Sequence, residues 1–483
     1  MVIRSRNRGA TLIESNGINT IGEDERGGSP RDLFWPWCAA NISVLGVSYG
    51  SFLLGFGVSF WQATFAGLIG LVLSFVLVGL VSIAGARGSA PTLVLSRAAF
   101  GVHGNALPSA FSYLVLVGWE TVLCSLATLA TATVFDRLGW AHGNGTKVIA
   151  FLVVAAVIVV AGVLGFETIM RLQRLITVAT VVLTIGFVAL TLDKVSWSAV
   201  TSAPSGSFQA VVGAFVFAMT GFGLGWVNSA ADYSRYLPRG AAPRGIVAWT
   251  TFGSATPAAI LVLYGLLLSG SDPAISSAVA NDPIGALAGL LPTWYLVPFV
   301  VVAVLGLVGG AVLDIYSSGL ALLTLGLRLP RPVAAGIDGV LMVLGTVYVV
   351  WVASSFFLPF EGFLITLGVP IAGWCGIFLA DLMLRRAPYA DAELYQPTGR
   401  YGSVNPAAVG LLVAGSVIGW GLVTNGMGSW LTWQGYLLGP FGLGGKSGAW
   451  AYANLGVLAA LAIGFLGTLA LNRGRVQAQE ARA

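Results

Sequence analysis

Two carboxylic acids stand inside stretches that are otherwise apolar: Glu120 in Val117-Gly118-Trp119-Glu120-Thr121, and Asp314 in Val312-Leu313-Asp314-Ile315-Tyr316-Ser317-Ser318. A charge in hydrocarbon costs roughly 3 kcal/mol on insertion scales, so each acid must be protonated, paired or facing a wet cavity. An acid whose proton affinity is raised by desolvation can carry a proton; for Glu120 the competing reading is a structural partner for a neighbouring helix. Asp232 and Arg235, three residues apart, read as an ion pair at a helix end. Trp119, Phe222 and Trp226 are placed to stack on a planar solute. With 15 Trp and 25 Phe in the chain, most aromatic rings must be packing or interfacial. No catalytic set accompanies these residues. His103 and His142 fall in different loops, Cys38, Cys124 and Cys375 are isolated, and GxxxxGK[ST] and HExxH patterns are absent. Neither an enzyme, a cofactor nor a metal site is expected, and an ion gradient is the simpler energy source.

The elements that must position these residues are membrane helices. Of 483 residues 57% are hydrophobic and 9% charged, against about 25% charged in a soluble domain. Segments of about 20 apolar residues, the length that spans hydrocarbon as a helix, lie near 33–60, 63–84, 107–134, 147–164, 172–192, 208–228, 245–269, 295–325, 336–357, 360–384, 405–424 and 450–471. These are segments 1 to 12 below. An even number of spans returns both termini to one side. The tails and loops on that side hold 20 of the 24 Lys and Arg, the opposite loops only Arg137, Lys147, Lys194 and Lys446. The excess places both termini in the cytoplasm of a cell (inner or plasma) membrane, and explains the net charge of +5 without nucleic acid. Residues 1–32 read as a disordered cytoplasmic tail, 33–471 as the transporter domain and 472–483 as a second cytoplasmic tail.

Discontinuous helices in matching positions of two halves point to a transporter's binding site. Segment 1 carries Leu45-Gly46-Val47-Ser48-Tyr49-Gly50-Ser51, and segment 6 carries Thr220-Gly221-Phe222-Gly223-Leu224-Gly225-Trp226. The two are five segments apart. This suits a five-plus-five inverted repeat, about 33–192 and 208–384, with two extra helices over 405–471. Close helix packing is the competing reading of either glycine cluster.

Several motifs together resemble the nucleobase:cation symporter family, purine and cytosine permease branch. They are Gly85-Ala86-Arg87-Gly88-Ser89-Ala90-Pro91 with Ser96-Arg97-Ala98-Ala99-Phe100-Gly101, Gly118-Trp119, Gly225-Trp226 through Tyr236, Asp314-Ile315-Tyr316-Ser317, and Leu379-Ala380-Asp381 before Arg385-Arg386. The resemblance runs from segment 1 to Gln434-Gly435-Tyr436. It implies a leucine-transporter-like fold of about twelve helices with substrate held between helices 1, 3, 6, 8 and 10. Trp119 would stack on the base, with Trp226 or Phe222 on the other face. Residues from Ser48 through Gly50 to Ser51 would offer hydroxyl and backbone partners to the ring edge.

Two departures from the branch matter. It often carries asparagine where this chain has Asp314 and Leu123. A carboxylate only accepts hydrogen bonds, so Asp314 favours a solute edge rich in N–H groups, as in cytosine or adenine. Sodium-coupled relatives carry Ser or Thr in helix 8 before the substrate residue, whereas Phe299 to Leu313 contains neither. The expectation is therefore a proton-coupled importer of a purine or pyrimidine base, with Asp314 or Glu120 taking the proton. The alternatives are a sodium-coupled carrier, a carrier of another heterocycle (allantoin, hydantoin or pyridoxine-like), and, more distantly, a channel or structural membrane protein.

Overall fold

The computed structural model describes residues 16–482 apart from 354–356 and 427–428, and is helical, with no strand among the described residues. Local sequence accounts for many helix starts. Ser59 and Gln62 form a capping box at the head of segment 2, Phe60–Gly88. Proline opens segments 7, 9 and 11, Pro243–Ser271, Arg331–Trp351 and Pro406–Gly421, at positions where its missing N–H has no helical partner to lose. The last expected residues of segment 9, 354–356, lie outside the described residues.

Among the described residues, nine helices are long and apolar enough to cross a bilayer, or up to eleven if each of two bent pairs is one span. The expected count of twelve is not reached by length alone. Segment 11 has 16 helical residues, about 24 Å at 1.5 Å per residue, short of a hydrocarbon core of about 30 Å.

Segments 1, 2, 6 and 7 pack as one group and segments 3, 4, 8 and 9 as another, while 10, 11 and 12 pack together beside them. Backbones touch within the first group. A Cβ at Gly50 would lie 2.2 Å from Leu266 N, and one at Gly265 would lie 1.9 Å from Val47 O. Outward faces of segments 4, 5 and 9 expose Ile149 (66%), Leu175 (68%) and Leu344 (61%), an apolar belt suited to lipid contact.

The expected tail over 1–32 needs correction. Residues 1–15 lie outside the described residues, but 16–32 form an ordered strap across the end of the bundle that carries both termini. Ile21 is buried and its N–H donates to Ser89 O at 2.8 Å. The guanidinium of Arg26 donates to Ala86 O at 3.1 Å, to Leu237 O at 2.7 Å and to Ser89 Oγ. Polar composition reads as disorder only when no partner is counted. Here Ala86 O, in the last turn of segment 2, has no helical N–H to accept and recruits Arg26 instead. Arg239 ties the strap more loosely, pairing with Glu23 and Asp391; its hydrogen bond holds the exposed Glu23 carboxyl below the ordinary value. Residues 473–480 are likewise helical and docked, Gln479 accepting from Arg385 at 2.7 Å.

Arg26→Ala removes three charge-assisted hydrogen bonds and is expected to speed limited proteolysis of the 16–32 strap at least tenfold, since even one such bond costs about 1.5 kcal/mol in the opening equilibrium. Arg239→Ala should change it far less, because exposed pairs are screened by water. Equal cleavage of both variants would contradict the assignment of Arg26 as the anchor.

Candidate functional site

Segment 1 is broken, though not where its glycines suggested. Helix Phe34–Asn41 ends at Ile42 (φ −91°, ψ 72°) and Leu45–Leu54 restarts at an angle of 65°. Asn41 Nδ2 turns back to Trp37 O at 2.9 Å, and Ser43 Oγ accepts from Leu45 N at 3.3 Å. Asn and Ser end helices by such local bonds, so the pair Asn41 and Ser43 was the readable signal. The stretch Ser48–Ser51 is helical. Ser48 donates to Pro283 O at 2.9 Å, and Gly50 abuts segment 7. Neither lines the central cavity, because the glycines here serve close helix packing.

Segment 6 breaks within the expected stretch, at Phe222 (φ −118°, ψ −105°), between helices Phe208–Gly221 and Gly223–Trp226. The freed N–H of Gly223 is taken up by Ser74 Oγ at 3.0 Å.

The two breaks face each other across a cavity of about 50 Å³. Trp119, Phe222 and Trp226 line it together, with Tyr49, Leu123, Gly306 and, at the segment 1 break, Asn41 and Ser43. Close approach shapes it. A Cβ at Gly306 would meet Ile42 O at 2.9 Å, and one at Gly225 would meet Trp119 Nε1 at 2.8 Å. Trp226 meets Trp37 edge-on at 5.7 Å, and Tyr49 donates to Gly221 O at 3.0 Å. One amide N–H of Asn41 is committed to Trp37 O, which leaves Oδ1 as an acceptor and the second N–H as a donor. The cavity thus offers aromatic faces, one amide group and the Ser43 hydroxyl.

Asp314 and Glu120 do not line it. On the segment 8 helix, Leu296–Thr324, Asp314 shares a face with Gly306 and Gly310 and sits about 6 Å along the axis below Gly310. It is 1% exposed and neither carboxyl oxygen has a hydrogen-bond partner. Glu120 is fully buried on segment 3 and bonds to Ser318 Oγ at 2.6 Å; the same hydroxyl lies 3.1 Å from Asp338 Oδ2 on segment 9. Asp338, a third acid in an apolar helix, escaped the sequence reading because it falls near a helix start.

A second cavity of about 400 Å³ opens at the end opposite the termini, lined by Ser51, Phe56, Gln209, Ser276, Glu361 and Tyr452 among others. Rings of Tyr49, Phe52, Phe217, Phe222 and Phe360 lie between the two cavities, Tyr49 to Phe222 at 4.4 Å. At the opposite end the bundle is sealed. Tyr233 donates to Leu313 O at 2.9 Å, and Arg235 donates to Tyr316 OH at 2.9 Å and Gly17 O at 2.9 Å. Asp232 accepts from Thr92 N and Oγ1, each at 2.8 Å, so it caps that turn rather than pairing with Arg235 as expected.

Two broken helices around a central cavity, closed on one side and gated by rings on the other, define a multi-pass secondary transporter rather than an enzyme. Residues 20–439 match the family described as permease for cytosine/purines, uracil, thiamine, allantoin. The chain belongs to that family. It is 24% identical over 405 residues to the putative purine-cytosine permease YxlA of Bacillus subtilis (strain 168), covering 81% of this chain and 84% of the relative. Purine-cytosine permease FCY21 of Saccharomyces cerevisiae is 25% identical over 285 residues, 57% of this chain and 52% of the relative. Among solved structures, the nucleobase-cation-symport-1 family transporter Mhp1 in a closed conformation with bromovinylhydantoin superposes with a TM-score of 0.69 at 18% identity, over 98% of this chain and all (100%) of that one. A substrate-bound outward-open sodium-coupled sialic acid symporter gives 0.58 at 11%, over 91% and 89%. These likenesses establish the leucine-transporter-like fold.

Proposed function

We propose that this chain imports an amino-bearing nucleobase such as cytosine or adenine by proton symport, with both termini cytoplasmic and the larger cavity opening to the outside. The observation that carries the reading is the central cavity, where Trp119, Phe222 and Trp226 present ring faces beside the Asn41 amide, whose Oδ1 can accept from a solute edge. A planar base gains stacking energy from such faces, and an acceptor on its edge favours N–H groups. This moves the edge preference from Asp314, which lies about two turns below the cavity-lining Gly306, to Asn41. Relatives named as purine-cytosine permeases support the solute class. Proton coupling is supported by buried acids without ion pairs, Glu120 and Asp314, and by a segment 8 that lacks hydroxyl side chains from Phe299 to Leu313.

Radiolabelled cytosine and adenine should enter cells that lack their own permeases and express this chain, and a protonophore should abolish the uptake. Dependence on a sodium gradient alone would sink proton coupling. Uracil outranking both amino-bearing bases in competition would sink the edge assignment, and absence of uptake for all three would send the search to other heterocycles.

A further inference from the structure

Ser318 Oγ stands within hydrogen-bond reach of three oxygens: Glu120 Oε1 at 2.6 Å, Asp338 Oδ2 at 3.1 Å and Ile315 O at 3.3 Å. A hydroxyl has one hydrogen to give, and ionised carboxylates and carbonyls only accept. One hydrogen cannot serve both carboxylates. The arrangement is complete only when one carboxyl carries its own proton and donates it to Ser318 Oγ, while Ser318 donates to the other. Two buried like charges facing one hydroxyl lead to the same protonation state.

We propose that Glu120, Ser318 and Asp338 form the proton-binding site of the transport cycle, a carboxylic acid and a carboxylate bridged by the serine. This rests on the proton-symport reading above and names the site of the ion. In the loaded state a single proton is shared through Ser318; on its release to water both carboxyls are ionised, one loses its hydrogen bond, and the pair moves apart. Because Glu120 directly follows Trp119, that movement is felt in the cavity wall on segment 3.

The surroundings fit a proton rather than a larger cation. Among the described residues no group of three or more His, Cys, Asp or Glu has metal-holding geometry. Beyond the bridge, Glu120 Oε2 and Asp338 Oδ1 have no partner and both residues are fully buried. From segment 8, the unpartnered carboxyl of Asp314 is near enough to interact electrostatically with Glu120. Tyr113, one helical face along segment 3, puts its hydroxyl beside Asp338. Arg331, two turns before Asp338 on segment 9, is held over the Tyr316 ring at 4.8 Å and donates to Gly162 O and Val163 O. Segment 4 carries no charged residue from Val148 to Leu164. On segment 10, Glu361 belongs to the outer cavity and Asp381 is paired with Arg385 at 2.6 Å. Gln173 of segment 5 donates to Gly309 O at 2.7 Å.

The test uses the purified full-length chain in proteoliposomes under an imposed pH gradient, with the labelled base that the native chain transports. A one-unit gradient sustains about tenfold accumulation at one proton per solute. Asp338→Asn and Glu120→Gln should each fall to simple equilibration. In infrared difference spectra, the protonated-carboxyl band of the native protein should vanish in either variant and shift in Ser318→Ala, a readout that remains if an amide variant folds poorly. Native accumulation that persists in both amide variants, or a carboxyl band that survives both, overturns the site alone. Loss of accumulation in Asp314→Asn only does the same. No pH-driven accumulation by the native chain overturns the coupling reading and this site with it.

Discussion

Trp119→Ala is expected to weaken binding of the transported base about 5- to 150-fold, the equivalent of roughly 1–3 kcal/mol for one lost stacking face. The indole is positioned from both sides. Its Nε1 edge rests where Gly225 has no side chain, a Cβ there lying 2.8 Å away, and Phe360 meets the ring edge-on at 5.5 Å. The ring therefore cannot tilt away from a solute without disturbing segments 6 and 10. Trp119→Phe retains a face and should lose less, whereas Gly225→Ala pushes on the indole and should weaken binding although Gly225 itself does not line the cavity. Equilibrium binding of labelled base to purified protein checks all three. A Trp119→Ala affinity within twofold of the native value would remove Trp119 from the binding surface.

The second large effect concerns assembly. Gly265→Ala adds a methyl group whose carbon would sit 1.9 Å from Val47 O and 2.7 Å from its carbonyl carbon. The obstacle is backbone, not the tip of a flexible side chain, so segments 1 and 7 must separate along their length. Overpacking of this kind costs roughly 1–3 kcal/mol and sometimes more, and here it also shifts the helix that follows the segment 1 break. Detergent-solubilised Gly265→Ala should lose most of its monodisperse fraction in size-exclusion chromatography, with a lowered thermal midpoint. An unchanged profile would mean that segments 1 and 7 are not in backbone contact in the folded protein. Gly57, with φ +72° and nothing within 4 Å of a Cβ, is a contrasting position where strain in the left-handed region, rather than contact, sets the cost.

Much of this was legible without coordinates. Apolar spanning helices are legible from length and hydropathy, because hydrocarbon demands long helices whose backbones satisfy themselves, although nine to eleven rather than the expected twelve are long enough among the described residues. Segment 6 was found to be interrupted near Phe222, since three glycines in five residues weaken a helix whatever surrounds it. Trp119, Phe222 and Trp226 share one cavity. The same reasoning misplaced the segment 1 break. Glycine clusters look alike whether they interrupt a helix or let it press on a neighbour, and Gly46 and Gly50 press on segment 7. The stop was encoded by Asn41 and Ser43, whose side chains bond locally.

What the sequence determined by itself is therefore local or averaged: membrane-spanning helices, the asymmetry of basic residues, the interruption of segment 6 and the acids that hydrocarbon should exclude. These depend on short windows and on the cost of charge in lipid. Tertiary structure decided which helices meet, and with that every relation between distant residues. Ser318 and Glu120 are 198 positions apart, and no spacing rule joins them. Asp314 falls below the cavity because Gly306 of segment 8 packs on the segment 1 break about two turns higher. Arg26 orders the strap because the unpaired Ala86 carbonyl at the end of segment 2 lies within its reach, a match of donor to acceptor that exists only once the chain has folded.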